Sequence, residues 1–148
     1  MVEEVSAAEQ PLNGWPALLE LTPAGPALIG SRCNSCAYVA FPPMAVCPRC
    51  FGEETMERFR LSSRATLDNY TVVHQATKGF TAPYIQAFVR MPEGPLVFTH
   101  VAGCEPIDGA LTPGEPMLLT TGIIKRDVQG RPVLGYKFRP SRETQTHA

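Results

Sequence analysis

Four of the chain's five cysteines fall in residues 31–50, SRCNSCAYVAFPPMAVCPRC, as two C-x-x-C pairs, Cys33/Cys36 and Cys47/Cys50, with ten residues between the pairs. Each pair brings two thiolates to one side of a tight turn, and the intervening loop is long enough to fold back and complete a tetrahedron. Zinc favours that sulfur geometry, and its structural sites are four-coordinate and closed. The spacing therefore predicts a rubredoxin-like zinc ribbon in which all four cysteines are ligands and no coordination position is left open. Such a site is structural rather than catalytic. A thiol–disulfide redox centre needs one pair at a helix start, not two at ribbon spacing. A disulfide framework needs an oxidising compartment, and the opening residues MVEEVSAAEQ lack the basic start and apolar stretch of an export signal. Iron uses the same ligands, and sequence alone separates it poorly from zinc.

The metal must do what packing cannot in this segment. Twenty residues bury no core of their own, whereas a structural zinc contributes about 10–16 kcal/mol of apparent binding free energy at neutral pH. Phe41-Pro42-Pro43 fixes the return of the loop, because two prolines restrict φ and remove two donors. Tyr38, Val39 and Phe41 read as a small strand covering one side of the ribbon.

The elements around the ribbon follow from pattern. Residues 1–30 read as an arm: a tail over 1–10, a short helix over Trp15–Glu20 and a proline-broken stop at Thr22–Pro26. Trp15, Leu18 and Leu19 share one helical face at i, i+3, i+4, and Pro16 is tolerated in a first turn. The ribbon occupies 31–53. From 54 to 140 the pattern alternates with period two. Strands are expected at Met56–Leu61, Ala65–Gln75, Tyr84–Arg90, Leu96–Val101, Met117–Ile124 and Val133–Phe138, with a bulge at Asp68-Asn69. Residues 141–148 are a polar tail. A mainly β chain of this kind fits an OB-fold Greek-key barrel, since closure removes exposed edges; an SH3-like barrel or small sandwich shares the pattern.

Composition narrows the function classes. The net charge of -1 in 148 residues argues against reliance on a general attraction to nucleic acid or anionic membrane. No apolar run approaches the roughly 18 residues of a membrane span, and thiolates kept for a metal fit a reducing, cytoplasmic interior. The charge is uneven, however. Residues 121–140 carry Lys125, Arg126, Arg131, Lys137 and Arg139 against Asp127 alone. This basic edge suits the phosphates of a small ligand, an acidic patch on a partner, or simply the wet side of strands.

The order of motifs carries a family likeness. Cys33-Asn34-Ser35-Cys36, Phe41-Pro42-Pro43, Cys47-Pro48-Arg49-Cys50, Tyr70-Thr71-Val72-Val73-His74 and Pro83-Tyr84 together resemble the zinc-ribbon plus OB-fold proteins associated with thiolases and acyl-CoA metabolism. The likeness spans roughly residues 12–139. It departs from the family wording after the ribbon, where Leu61–Thr66 replaces a glycine-rich turn. The resemblance implies a small accessory subunit, not catalytic by itself, that docks onto a thiolase-like large subunit in a heterotetramer or larger assembly. Thiolysis of a 3-oxoacyl-CoA or its reverse would be the reaction of the complex; the small subunit of an acyl-CoA aldolase is the near alternative.

The residues agree with a non-catalytic role. With four cysteines committed, only Cys104 remains, and its surroundings raise rather than lower a thiol pKa. His74 and His100 have no nucleophile or matched carboxylate to serve. Contact with a partner or with coenzyme A is expected of Lys78 and Phe80 in the 76–83 loop, where an aromatic anchor sits by a cation. Trp15, Phe41, Met44 and Tyr84 are the other candidates. The competing class is single-stranded nucleic-acid binding on a platform of Tyr70, Tyr84, Phe88, Phe98 and Tyr136. Near-zero charge argues against it, as does the expectation that alternation turns many of these rings inward.

Overall fold

The computed structural model describes residues 12–142. The tail expected over 1–10 and most of the tail expected over 141–148 lie outside the described residues. Ten strands follow one another: β1 (Leu12–Asn13), β2 (Leu19–Thr22), β3 (Gly25–Cys33), β4 (Val39–Ala40), β5 (Met56–Arg60), β6 (Arg64–Val73), β7 (Tyr84–Arg90), β8 (Leu96–Val101), β9 (Pro116–Arg126) and β10 (Pro132–Pro140).

Five of them close a ring. β6 pairs with β7 and β7 with β8, all antiparallel; β8 runs parallel to β10, β10 antiparallel to β9, and β9 returns antiparallel to β6. The circuit β6-β7-β8-β10-β9 is an OB-fold-like closed barrel. The ten-residue β6 bends at a register shift between Leu67 and Asn69, so the expected bulge at Asp68 is present. Alternation fills the interior. Ile85, Ala87 and Val89 on β7, Val97 and Thr99 on β8, Met117 on β9 and Phe138 on β10 are all buried.

A second sheet lies against this barrel, with β3 at its centre. β2 pairs with residues 25–28 of β3, β5 with 29–33, and β4 with 31–32. Gly30 is required where β4 crosses, because a Cβ there would collide with the carbonyl oxygen of Ala40. Leu19, Leu28 and Val39 from this sheet join Leu67, Val97 and Phe138 in one apolar cluster. The segment read as an arm therefore supplies core side chains.

Two expectations are corrected. Residues 15–20 form no helix. Leu18 and Leu19 donate to the Trp15 carbonyl at 2.9 and 2.8 Å, a single turn, and the chain then extends as β2. So short a helix is marginal alone, and pairing Leu19–Thr22 with β3 satisfies more backbone groups. β5, read as the first barrel strand, pairs instead with β3 from Ile29↔Arg60 to Cys33↔Met56. Period-two alternation marks a strand but not its neighbour.

Candidate functional site: cysteine tetrad and aromatic chamber

Two similar turns build the tetrad. In the first, Ser35 N–H donates to Cys33 Sγ at 3.4 Å and Ala37 N–H to the Cys33 carbonyl at 2.9 Å. In the second, Arg49 N–H donates to Cys47 Sγ at 3.4 Å and Phe51 N–H to the Cys47 carbonyl at 2.8 Å. Both turns end left-handed, Ala37 at φ 67° and Phe51 at φ 59°, a region that disfavours any residue with a Cβ. β3 delivers Cys33 directly, and the β4 return across Gly30 brings the second turn opposite the first.

The sulfurs fit a metal. All four lie within 4.8 Å of one another, with Cys33–Cys50 at 3.7 Å and Cys36–Cys47 at 3.6 Å. Zinc–sulfur bonds of about 2.3 Å in a tetrahedron place sulfurs about 3.8 Å apart, whereas a disulfide needs about 2.05 Å. The cluster thus has the geometry of a structural zinc site. The thiols are unequal. The Thr55 hydroxyl, 3.3 Å from Cys33 Sγ, together with N–H donors from Cys36 and Ser35, lowers the Cys33 thiol to about 6. Cys36 is raised to about 11, because burial and the three neighbouring thiols outweigh the N–H of Tyr38. Thr55 carries no sequence signal; it is a lone hydroxyl after two glutamates.

The residues expected to contact a ligand separate into groups. Trp15 packs on Tyr136, centroids 5.1 Å apart, and Phe41 meets the same tyrosine edge-on at 5.9 Å. Phe80 stacks on Tyr84 at 5.8 Å, and Tyr84 on His100 at 5.0 Å. Trp15, Phe80, Phe98, His100 and Tyr136 line a chamber of about 240 Å³. It shares Phe80, His100, Ile124 and Lys125 with a wider vestibule that adds Tyr84, Arg126 and Lys137. The cation over the Phe80 ring is Lys125, 6.0 Å from its centroid. Lys78 is exposed and faces a different hollow, beside Asp127 and Val128. Met44 stands apart on the ribbon, its N–H donating to Ser31 Oγ at 2.9 Å.

The basic edge of residues 121–140 was thus the informative signal, for Lys125, Arg126 and Lys137 all reach the vestibule. Burial holds the Lys137 ammonium below its ordinary range, and burial followed by Lys137 lowers His100. The inward turn expected of the aromatic rings holds in part for Tyr70 and Tyr136, half-buried against the core cluster, and is corrected for two others. Phe88 and Phe98, paired across β7 and β8, point outward, 38 % and 45 % exposed, while Ala87 and Val89 beside the one and Val97 and Thr99 beside the other turn inward. Burial pushes the Cys104 thiol up, away from nucleophile chemistry. No described helix is long and apolar enough to cross a membrane.

The comparisons with known proteins agree with this geometry. Residues 25–57 match the family model of the ChsH2 rubredoxin-like zinc ribbon domain, and residues 60–121 that of the ChsH2 C-terminal OB-fold domain. A DUF35 domain-containing scaffold protein of Methanocaldococcus jannaschii is 35% identical over 76% of this chain and 81% of its own length. The benzoylsuccinyl-CoA thiolase subunit BbsA of Thauera aromatica is 32% identical over 84% of this chain and 85% of its own. Among solved structures, a chain of the Ltp2-ChsH2(DUF35) aldolase superposes with a TM-score of 0.60 at 26% identity, covering 78% of this chain and 86% of that one. Ribbon and barrel together place the chain in the ChsH2/DUF35 family of zinc-ribbon plus OB-fold proteins.

Proposed function

We propose that this protein is a non-catalytic accessory subunit of a thiolase-like enzyme acting on acyl-CoA thioesters, in the cytoplasm. The observation that carries the reading is the 32% identity to the BbsA subunit of a benzoylsuccinyl-CoA thiolase over most of both chains. The fold match to the Ltp2-ChsH2(DUF35) aldolase supports the same role and keeps an aldolase partner as the near alternative. The nucleophile, base and oxyanion donors would come from the large subunit.

The division of labour follows from the two sites. Cys33, Cys36, Cys47 and Cys50 hold zinc, which supplies a rigid crosslink and no reaction step. The ribbon then presents Met44 and Phe51, 47 % and 75 % exposed, to the partner. The barrel face around Phe80 sits beside the partner's acyl-CoA entrance, where it orders channel walls and excludes water. A heterotetramer or larger assembly, with at least two copies of each chain, is the stoichiometry that goes with this reading.

Purification of the tagged chain from its native host tests this. A thiolase-like chain should co-elute in fixed ratio, and the pair should cleave a 3-oxoacyl-CoA. Elution without such a chain would count against the reading. The outward Phe88 and Phe98 favour one rival, a single-stranded nucleic-acid platform; oligonucleotide binding that weakens steeply with salt would bring that rival forward.

A further inference from the structure

The chamber and vestibule on the barrel's outer face have a construction that no core needs. Their walls are rings, yet one end carries Lys125 and Lys137, and no Asp or Glu lines either space. Among the described residues neither lysine has a carboxylate partner within ion-pair distance. Lys125 is exposed and stands over the Phe80 ring, whereas Lys137 is half-buried, and an unpaired, half-buried ammonium is unfavourable unless an anion completes it. The wall is also fixed in place. Arg126 N–H donates to the Gly79 carbonyl at 2.9 Å, and a Cβ on Gly79 would meet the Arg126 oxygen at 2.8 Å. Gly79 at φ 97° therefore pins the loop that seats Phe80. A cavity on the order of 150 Å³ holds a benzene ring, so about 240 Å³ admits one ring or a fused pair.

We propose that chamber and vestibule form one binding site for a small anion bearing a flat ring, the ring among Trp15, Phe80, Phe98 and Tyr136 and the carboxylate or phosphate at Lys125 and Lys137. Ring stacking, the half-buried Lys137 and the exposed Lys125 beside it together select this class over ring-free anions and neutral rings. An aryl acid and an adenine nucleotide share this chemistry. The site belongs to this chain alone and does not depend on a partner enzyme.

Trp15 is the chain's single tryptophan and lines the chamber, so its fluorescence reports occupancy. The full-length chain is titrated with phenyl phosphate, benzoate and AMP, with inorganic phosphate and benzyl alcohol as the ring-free and charge-free controls. A saturable change is expected for ring-bearing anions, with each control at least about tenfold weaker. K125M and K137M should each weaken the ring-bearing anions about tenfold and leave benzyl alcohol unchanged, while K78M binds as the parent does. Tighter AMP assigns a nucleotide and tighter phenyl phosphate or benzoate an aryl acid, and either upholds the site. No saturable change, equal binding of inorganic phosphate, or indifference to K125M would overturn it. If K137M fails to fold, K125M alone decides. Because the titration needs no partner, its failure is distinct from failure of the chain to co-purify with a thiolase-like enzyme.

Discussion

Ribbon and barrel reach a fixed shape by opposite means. The barrel closes five strands around a continuous apolar interior, with Val89, Val97, Met117 and Phe138 fully buried. The ribbon's two cysteine turns bury almost nothing but Cys33 and Cys47, and they tolerate left-handed backbone at Ala37 and Phe51. One region is stabilised by area removed from water, the other by four metal–sulfur bonds. Each region is therefore vulnerable to a different loss. β3 spans both, carrying Leu28 in the shared core and Cys33 in the tetrad, so damage to one is damped in the other rather than isolated.

Metal removal should separate the regions most. Chelation, or Cys47→Ser, forfeits binding on the order of 10 kcal/mol. Hydrogen exchange should then show residues 33–56 unprotected while β7 and β8 keep most of their protection. Equal loss in both regions would erase the distinction. The converse perturbation is Phe138→Ala, which opens a cavity at the barrel centre and should cost about 3–5 kcal/mol in denaturant unfolding. Zinc content by elemental analysis should not change.

Smaller effects sharpen the contrast. Phe51→Gly relieves a left-handed residue that is 75 % exposed and loses little contact. It should stabilise the ribbon by up to about 1 kcal/mol, read as slower zinc release to a competing chelator. The smallest effect concerns the β9–β10 turn. The Arg131 N–H above all, with the Arg131 guanidinium and the Gln129 N–H, holds the Asp127 carboxyl below its ordinary range against the opposing desolvation. Its contribution is therefore present above the unfolded value of about 3.9 and is lost as pH falls through the lower folded value. Asp127→Asn should flatten that acid limb of the thermal-midpoint profile, leaving the ribbon untouched.

Much of this was legible from residue order. The tetrad could be read because metal geometry is encoded by spacing along the chain, and the bulge at Asp68 because a polar pair interrupts a β-branched run. What was hidden depends on contacts between distant segments. Trp15, Leu18 and Leu19 have helical spacing, yet one turn satisfies it once β3 offers an edge to Leu19–Thr22. Lys78 is the cation nearest Phe80 in sequence, but β9 brings Lys125 over that ring. The outward turn of Phe88 and Phe98 follows from strand register, which alternation leaves undetermined by one residue.

On the proposed function, this chain serves a catalyst rather than acting as one. The most direct test is the rate of 3-oxoacyl-CoA thiolysis by the co-purified large subunit, measured alone and with the zinc-loaded chain added back. Little turnover is expected from either chain by itself and recovery on mixing, with the Cys47→Ser chain unable to restore it. Thiolysis by this chain alone, or a large subunit equally active without it, would rule out an accessory role.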